Sequence, residues 1–209
     1  MIIGLNGFKS AGKNTVGEYL EDKYGFEQAS FAAKLKESAA ALFDMPPEDW
    51  EWGKNDPNAT VSIDIVKSSV EQYQFKKSIT VREFLQRYGT EAHRDVFGTD
   101  FWVDYAMKGI DPNKNIVFTD ARFENELQRI KSFGGYNLQV LRPSLFTSDS
   151  HASEVPPPQH LIDYAVDNHG SFEDLYAQVD DFIDFIDTEL FITPGTYGDW
   201  RDNPGNYGE

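Results

Sequence analysis

The chain has no cysteine among its 209 residues. That excludes disulfides and zinc–thiolate sites and is compatible with a reducing cytoplasm. Basic residues are scarce: 19 Lys and Arg stand against 35 Asp and Glu, a formal net charge of −16. A chain this acidic is poorly suited to gripping a polynucleotide backbone, so no polynucleotide binding is expected. A small phosphorylated ligand stays open if the few cations gather at one site. No apolar stretch approaches the ~18 residues needed to span a bilayer, so no membrane association is expected. The first residues read as a core strand without a basic flank or cleavage site. No signal peptide is therefore expected, and the expected location is the cytoplasm. Internal repeats are also lacking. What remains is a globular composition, 40% hydrophobic and 26% charged, with enough chain for one domain of moderate size and a real core.

Against this background the N-terminus stands out. Gly7-Phe8-Lys9-Ser10-Ala11-Gly12-Lys13 follows a short apolar run, Met1 to Leu5, and precedes a helical period of Val16, Leu20 and Tyr24. Strand, glycine loop and helix in that order form the context of a phosphate-binding P-loop. The two glycines let backbone N–H groups approach phosphate oxygens. The helix start turns its positive dipole end toward them, and Lys13 adds a mobile charge. Gly7, Lys9, Ser10, Ala11, Gly12, Lys13, Asn14 and Thr15 are the expected nucleotide-binding set. The usual hydroxyl after the lysine, a Mg²⁺ ligand, is replaced by Asn14, and Thr15 comes one residue later. Either the Asn14 amide oxygen takes the metal position, or phosphates, water and a carboxylate elsewhere hold the ion.

Downstream, Phe26–Phe31 reads as a second strand and Ala33–Phe43 as a helix with Leu35, Ala39 and Leu42 inward. Pro46-Pro47 ends it. Lys34 and Lys36 lie near its start, and Lys36 is the candidate to meet a substrate phosphate. Asp44–Ile79 shows no clean period and reads as a partly helical insertion. Thr80-Val81-Arg82-Glu83 fits a capping box opening a helix. Arg82 and Gln86 share one face of it, Phe84 and Tyr88 another. Arg82, Arg87, Arg94, His93 and Trp102 cluster in this stretch. Arg87 is expected to pair with a neighbouring carboxylate, while Arg82 and Arg94 are expected to bind an anion. Asn115–Asp120 reads as a buried strand ending in a carboxylate, placed where parallel sheets meet their ligands. Asp120 can hold Mg²⁺ directly or through water. Arg122 and Glu126, four apart, can pair at the next helix start. Tyr136–Leu141 is the next strand, followed by Arg142. The polar stretch Ser144–Ile162 suits either a lid or a surface loop, and His151 in it reads as a loop residue rather than a general base. Tyr164–Asn168 is the last strand. A helix capped by Ser171 follows, with Phe172, Leu175, Val179, Phe182, Ile183 and Ile186 inward. The segment after Thr193 is rich in Gly, Pro and Asn and reads as a flexible or draped tail. Five strands alternating with helices imply a parallel α/β sheet.

Together, GFKSAGKNT, FAAKLK, REFLQRYGTEAHRDVFGTDFW, FTDARFENE, LRP, HASE and DNHGS resemble the deoxynucleoside monophosphate kinases of tailed bacteriophages. These are members of the nucleoside monophosphate kinase branch of P-loop proteins. The resemblance spans Met1 to the end of the last helix, apart from most of Asp44–Ile79. It implies a three-layer α/β sandwich on a five-stranded parallel sheet of order 2-3-1-4-5. The core would be 1–45 and 114–192, with a monophosphate-binding insertion at about 46–113, a short lid at about 143–162 and a tail at 193–209. It implies transfer from ATP to a deoxynucleoside monophosphate with Mg²⁺, in the host cytoplasm if the chain is phage-encoded, and a homodimer is a candidate assembly. Lys13, Asp120, Arg122 and Arg142 then fall on catalytic positions. Arg82, Gln86 and Arg94 match the substrate-side pattern of the family; Lys36, Trp102 and Glu126 are further substrate-side candidates by their own positions, with Trp102 or Phe84 as stacking partners for the base. Asn14, Thr15 and Asp120 are the metal candidates. A P-loop kinase for another phosphorylated metabolite (dephospho-coenzyme A or phosphomevalonate) and a non-catalytic nucleotide-binding module are the competing readings.

Overall fold

The apolar run after Met1 forms β1 (Ile2–Asn6), and every residue of it is buried. A central parallel strand covered on both faces needs a continuous apolar run rather than an alternating one. After the glycine loop come α1 (Lys13–Tyr24), β2 (Glu27–Ala29), α2 (Ala33–Phe43) and α3 (Pro47–Gly53). Then follow β3 (Thr60–Val66), β4 (Gln74–Thr80), α4 (Val81–Gly89), a π-helical turn at Thr90–Arg94, α5 (Asp95–Phe97) and α6 (Phe101–Lys108). The chain closes with β5 (Ile116–Phe118), α7 (Glu124–Ser132), β6 (Tyr136–Leu141), a 3₁₀ turn at Gln159–Leu161, β7 (Tyr164–Asp167) and α8 (Phe172–Ile192). This is a computed structural model, and it describes residues 1–43, 45–66, 74–142 and 157–192. Most of the candidate lid, with His151, and the tail after 192 lie outside the described residues.

The chain divides into two compact units, Met1–Phe31 with the chain from Met107 onward, and Ala32–Ala106. In the first, five strands pair in the order β2-β5-β1-β6-β7. All four pairings are parallel, for example Ile3 beside Val117 and Tyr136. Setting aside the two strands of the second unit, that order is 2-3-1-4-5, as expected. Side chains alternate faces along a strand. Ile3 and Leu5 therefore meet Val16 and Leu20 of α1 and Leu175, Val179 and Phe182 of α8 in one core cluster. The intervening Gly4 faces the other way, where an added Cβ would lie 2.3 Å from Ile130 Cδ1 of α7. The sheet is thus the middle of three layers. Hydrogen bonds strengthen the α1–α8 contact: Asp180 accepts from Tyr19 Oη (2.8 Å), Tyr24 Oη (2.7 Å) and Lys23 Nζ (2.8 Å). The Tyr19 and Tyr176 rings stack with centroids 4.0 Å apart. Among the described residues no helix is long and apolar enough to cross a membrane.

The second unit has its own core of Ala39, Ala40, Trp50, Val61, Ile79, Val81, Phe84 and Leu85. By this packing α2 belongs here, rather than with the sheet. Leu42, expected inward, is 62% exposed, because the buried face of α2 centres on Ala39 and Ala40 instead. The segment expected to be a partly helical insertion holds α3 and an antiparallel pair, β3 with β4, registered Thr60 to Thr80. Thr80 caps α4 as expected, its Oγ1 accepting from the Glu83 N–H at 3.1 Å. Phe172 of α8 is a second correction: it is 63% exposed at the helix start, and its ring lies beside Tyr176.

Candidate active site

Parallel strands present their C-terminal ends at one edge of the sheet, and each strand of the first unit delivers a polar residue there. β1 delivers the glycine loop. Gly7 (φ +146°) and Gly12 (φ +109°) sit in backbone regions that favour glycine, and Ser10 also has positive φ at +63°. The Ala11 N–H closes a turn onto Phe8 O at 3.1 Å. Helix α1 then begins with no side-chain cap and no acidic residue in its first turn. An uncapped helix start with a glycine loop before it keeps N–H groups available for an anion. Lys13 is only 7% exposed, and its Nζ donates to the carbonyls of Gly7 (2.6 Å) and Phe8 (2.8 Å). Its ammonium is thus folded onto the loop that would hold phosphates. Lys9, Ser10 and Asn14 are exposed, Thr15 is half-buried and Ala11 is buried.

β5, paired beside β1, delivers Asp120 and Arg122. Asn6 Nδ2 donates to Ala121 O at 3.0 Å and ties the ends of the two strands together. The Asp120 carboxylate accepts from Ser30 Oγ (2.6 Å) and from the Phe31 N–H (2.8 Å), so it also fixes the chain leaving β2. Glu126 behaves differently from expectation. It is buried, and its Oε2 accepts the backbone N–H groups of Arg122 (2.7 Å) and Phe123 (3.0 Å). It therefore caps α7 and shapes the Asp120–Arg122 turn through the backbone. β6 delivers Arg142, whose exposed guanidinium donates to Ser10 O at 3.3 Å. β7 delivers Asn168, a residue without an expected role. Its Nδ2 donates to Ala11 O at 2.7 Å. Nothing local in DNHGS signals this contact, since it joins residues 157 positions apart.

In the second unit Arg82 and Gln86 lie exposed on α4, one turn apart, and Arg94 is half-buried in the π-helical turn. Arg87 pairs with Glu83 at 3.0 Å, as expected. Lys36 is half-buried on α2, while Lys34 pairs with Glu37 at 2.7 Å. Trp102 and Phe84 are corrected. Trp102 is 5% exposed, with its Nε1 donating to Gly89 O at 3.0 Å, and Phe84 packs in the core against Trp50 and Phe43. Both rings are used by the fold, so neither is an open platform for a base. His93 Nδ1 donates to Tyr88 O (2.6 Å), and the ring packs against those of Tyr88, Phe101 and Trp102. It, too, is a structural residue of this unit.

The described residues contain no cluster of three or more His, Cys, Asp or Glu able to hold a metal ion by themselves. Thr15 or Asn14 and Asp120 can offer hard oxygen ligands. That donor set fits Mg²⁺ arriving on a nucleotide, which needs only one or two protein ligands beside phosphate and water.

Comparisons with known proteins identify the family. The family model described as Deoxynucleotide monophosphate kinase matches residues 49–179. The chain is 30% identical over 188 residues to a protein of Acanthamoeba polyphaga mimivirus provisionally named a deoxynucleotide monophosphate kinase. That match covers 88% of this chain and 96% of the viral protein. The deoxynucleotide monophosphate kinases of Escherichia phage RB69 and Enterobacteria phage T4 are each 27% identical, over 109 and 105 residues. Those two matches cover 48% of this chain and 43% and 44% of the phage enzymes.

Proposed function

The chain belongs to the deoxynucleotide monophosphate kinase family, and from that premise we propose that it transfers the γ-phosphoryl group of Mg-ATP in line to a deoxynucleoside monophosphate. The products are ADP and the deoxynucleoside diphosphate: the new bond joins an acceptor phosphate oxygen to γ-phosphorus as the β–γ bridge breaks. The observation that carries this reading is the glycine loop, with its uncapped helix start and its buried lysine on the loop carbonyls. The loop N–H groups and Lys13 would bind the ATP phosphates. Lys13 and Arg122, joined by Arg142, would meet charge spread over the transferring group. Arg82 and Arg94 would hold the acceptor phosphate, Lys36 would add charge there, and Gln86 would read the base edge. Thr15 or Asn14 and Asp120 would hold Mg²⁺, which shields phosphate charge when bound. The acceptor is already a dianion, so catalysis needs placement and charge more than a general base.

The test is ADP release with ATP and a panel of dTMP, dGMP, dCMP, dAMP, dUMP and modified pyrimidine monophosphates. Turnover with at least one deoxynucleotide is expected. Turnover only with a non-nucleotide acceptor, or ATP binding with no transfer at all, would overturn the reading.

A further inference from the structure

Asn168 stands just past the end of β7, and its backbone N–H extends the strand ladder by donating to Leu141 O at 2.7 Å. Its side chain reaches back to the glycine loop. Nδ2 donates to Ala11 O at 2.7 Å, and a Cβ added to Gly12 would lie 2.3 Å from the same nitrogen. One amide group therefore grips the Ala11–Gly12 peptide from the β7 side. The described peptide bonds include no cis bond. In a trans peptide the carbonyl and the following N–H point in opposite directions. Fixing the Ala11 carbonyl on Asn168 thus turns the Gly12 N–H away from β7. Among the described residues that N–H meets no acceptor. Helix α1 begins at the next residue, so the Gly12 N–H joins the donors of an uncapped helix start.

We propose that Asn168 is a positioning residue for ATP: it holds the Ala11–Gly12 peptide so that its N–H, and not its carbonyl, faces the nucleotide phosphates. This rests on the reading of the loop as the ATP site. Gly12 makes the anchor necessary. A peptide next to glycine rotates easily, because glycine tolerates conformations that other residues do not. Rotated by half a turn, it would present a carbonyl dipole to phosphate and repel it. Asn168 acts only through Ala11 and Gly12, so its loss weakens ATP binding without touching the acceptor.

Asn168→Asp keeps the size and the backbone ladder bond but removes the donor, and Asn168→Ala removes the whole group. Mg-ATP affinity would be measured by equilibrium titration without acceptor, alongside KM for ATP and for the monophosphate and the thermal midpoint. In both variants ATP affinity is expected to fall and KM for ATP to rise about tenfold, as for loss of one hydrogen bond to a charged group. KM for the monophosphate should stay unchanged. Unchanged ATP affinity with a lowered midpoint, or equal rises in both KM values, overturns the proposal. Should Asn168→Ala not fold, the near-isosteric Asn168→Asp carries the same readouts. A wild-type chain that binds ATP but phosphorylates no monophosphate refutes the proposed function, while the ATP titration still decides Asn168.

Discussion

The glycine loop of the first unit and the cationic face of α4 in the second handle charge with different materials. The loop is made of backbone: two glycines at positive φ, an uncapped helix start and carbonyls that hold the Lys13 ammonium. The α4 face is made of side chains, with Arg82 and Gln86 exposed on a helix whose buried side is a core of its own. A backbone site is specified by where glycine must be, and changing it strains the chain. A side-chain site sits on a helix that folds for other reasons, so its residues can change while the fold persists. Function and stability should therefore fail together in the first region and separately in the second.

The sharpest test removes the loop's charge without altering its backbone. Lys13→Met should lower kcat by about 10²–10³, as for loss of one transition-state electrostatic partner, in steady-state assays. Gly12→Ala attacks the backbone itself. The new Cβ would meet Asn168 Nδ2 at 2.3 Å in a conformation that L residues avoid. ATP affinity should drop by roughly 10², and the strained residue should cost about 1–3 kcal/mol in denaturant titration. If Gly12→Ala kept full stability while losing ATP, the coupling of fold to function in the loop would be wrong. On the other side of the comparison, Arg82→Ala should raise KM for the monophosphate about tenfold and leave stability within about 0.5 kcal/mol, since an exposed surface residue contributes little to the fold. A large stability loss there would erase the distinction.

The smallest expected effect concerns the α1–α8 contact that backs the loop's helix. Burial pushes the Asp180 carboxyl up, but bonds from Lys23, Tyr24 and Tyr19 outweigh it and hold it below the usual carboxylate range. Its contribution is therefore present above the unfolded carboxylate pKa of about 4 and lost as pH falls through the lower folded value. Burial, aided by the bond to Asp180, pushes the Tyr24 hydroxyl up to about 12. That contribution is complete below the unfolded tyrosine value of about 10 and lost as pH rises toward the folded one. Asp180→Asn should cost about 1 kcal/mol or less at neutral pH, because the pair with Lys23 is half-exposed and screened. It should also blunt the acid-side loss, as read from thermal midpoints across pH.

The same contrast explains what the amino-acid order made legible. The glycine loop, the Thr80 cap and the six-residue strand Tyr136–Leu141 each carry a local signature, and each lies where it was expected. The β3–β4 hairpin was also signalled, since Val61-Ser62-Ile63-Asp64-Ile65 alternates with period two, but the polar residues around it obscured that short run. Trp102 and Phe84 could not be told from ligand-stacking residues by type, because an aromatic ring serves a core and a base equally well. Glu126 and Asn168 share a different difficulty. Each acts on backbone atoms, one on its own helix start and the other on a loop 157 residues away. No spacing rule encodes which carbonyl a distant amide will meet.

The π-helical turn at Thr90–Arg94 bears on how this second unit can diversify. Such a turn holds one residue more than an α-helical turn, so side chains after it are rotated by about 100° from the face that a 3.6-residue period would assign. Arg82 and Gln86 are indexed before that joint and Arg94 within it. A chain that gained or lost a single residue here would keep every arginine of the motif and still aim the last one elsewhere. The joint thus sets the aim of Arg94 relative to Arg82 and Gln86, while His93 of the same turn ties it to the rings of Tyr88, Phe101 and Trp102.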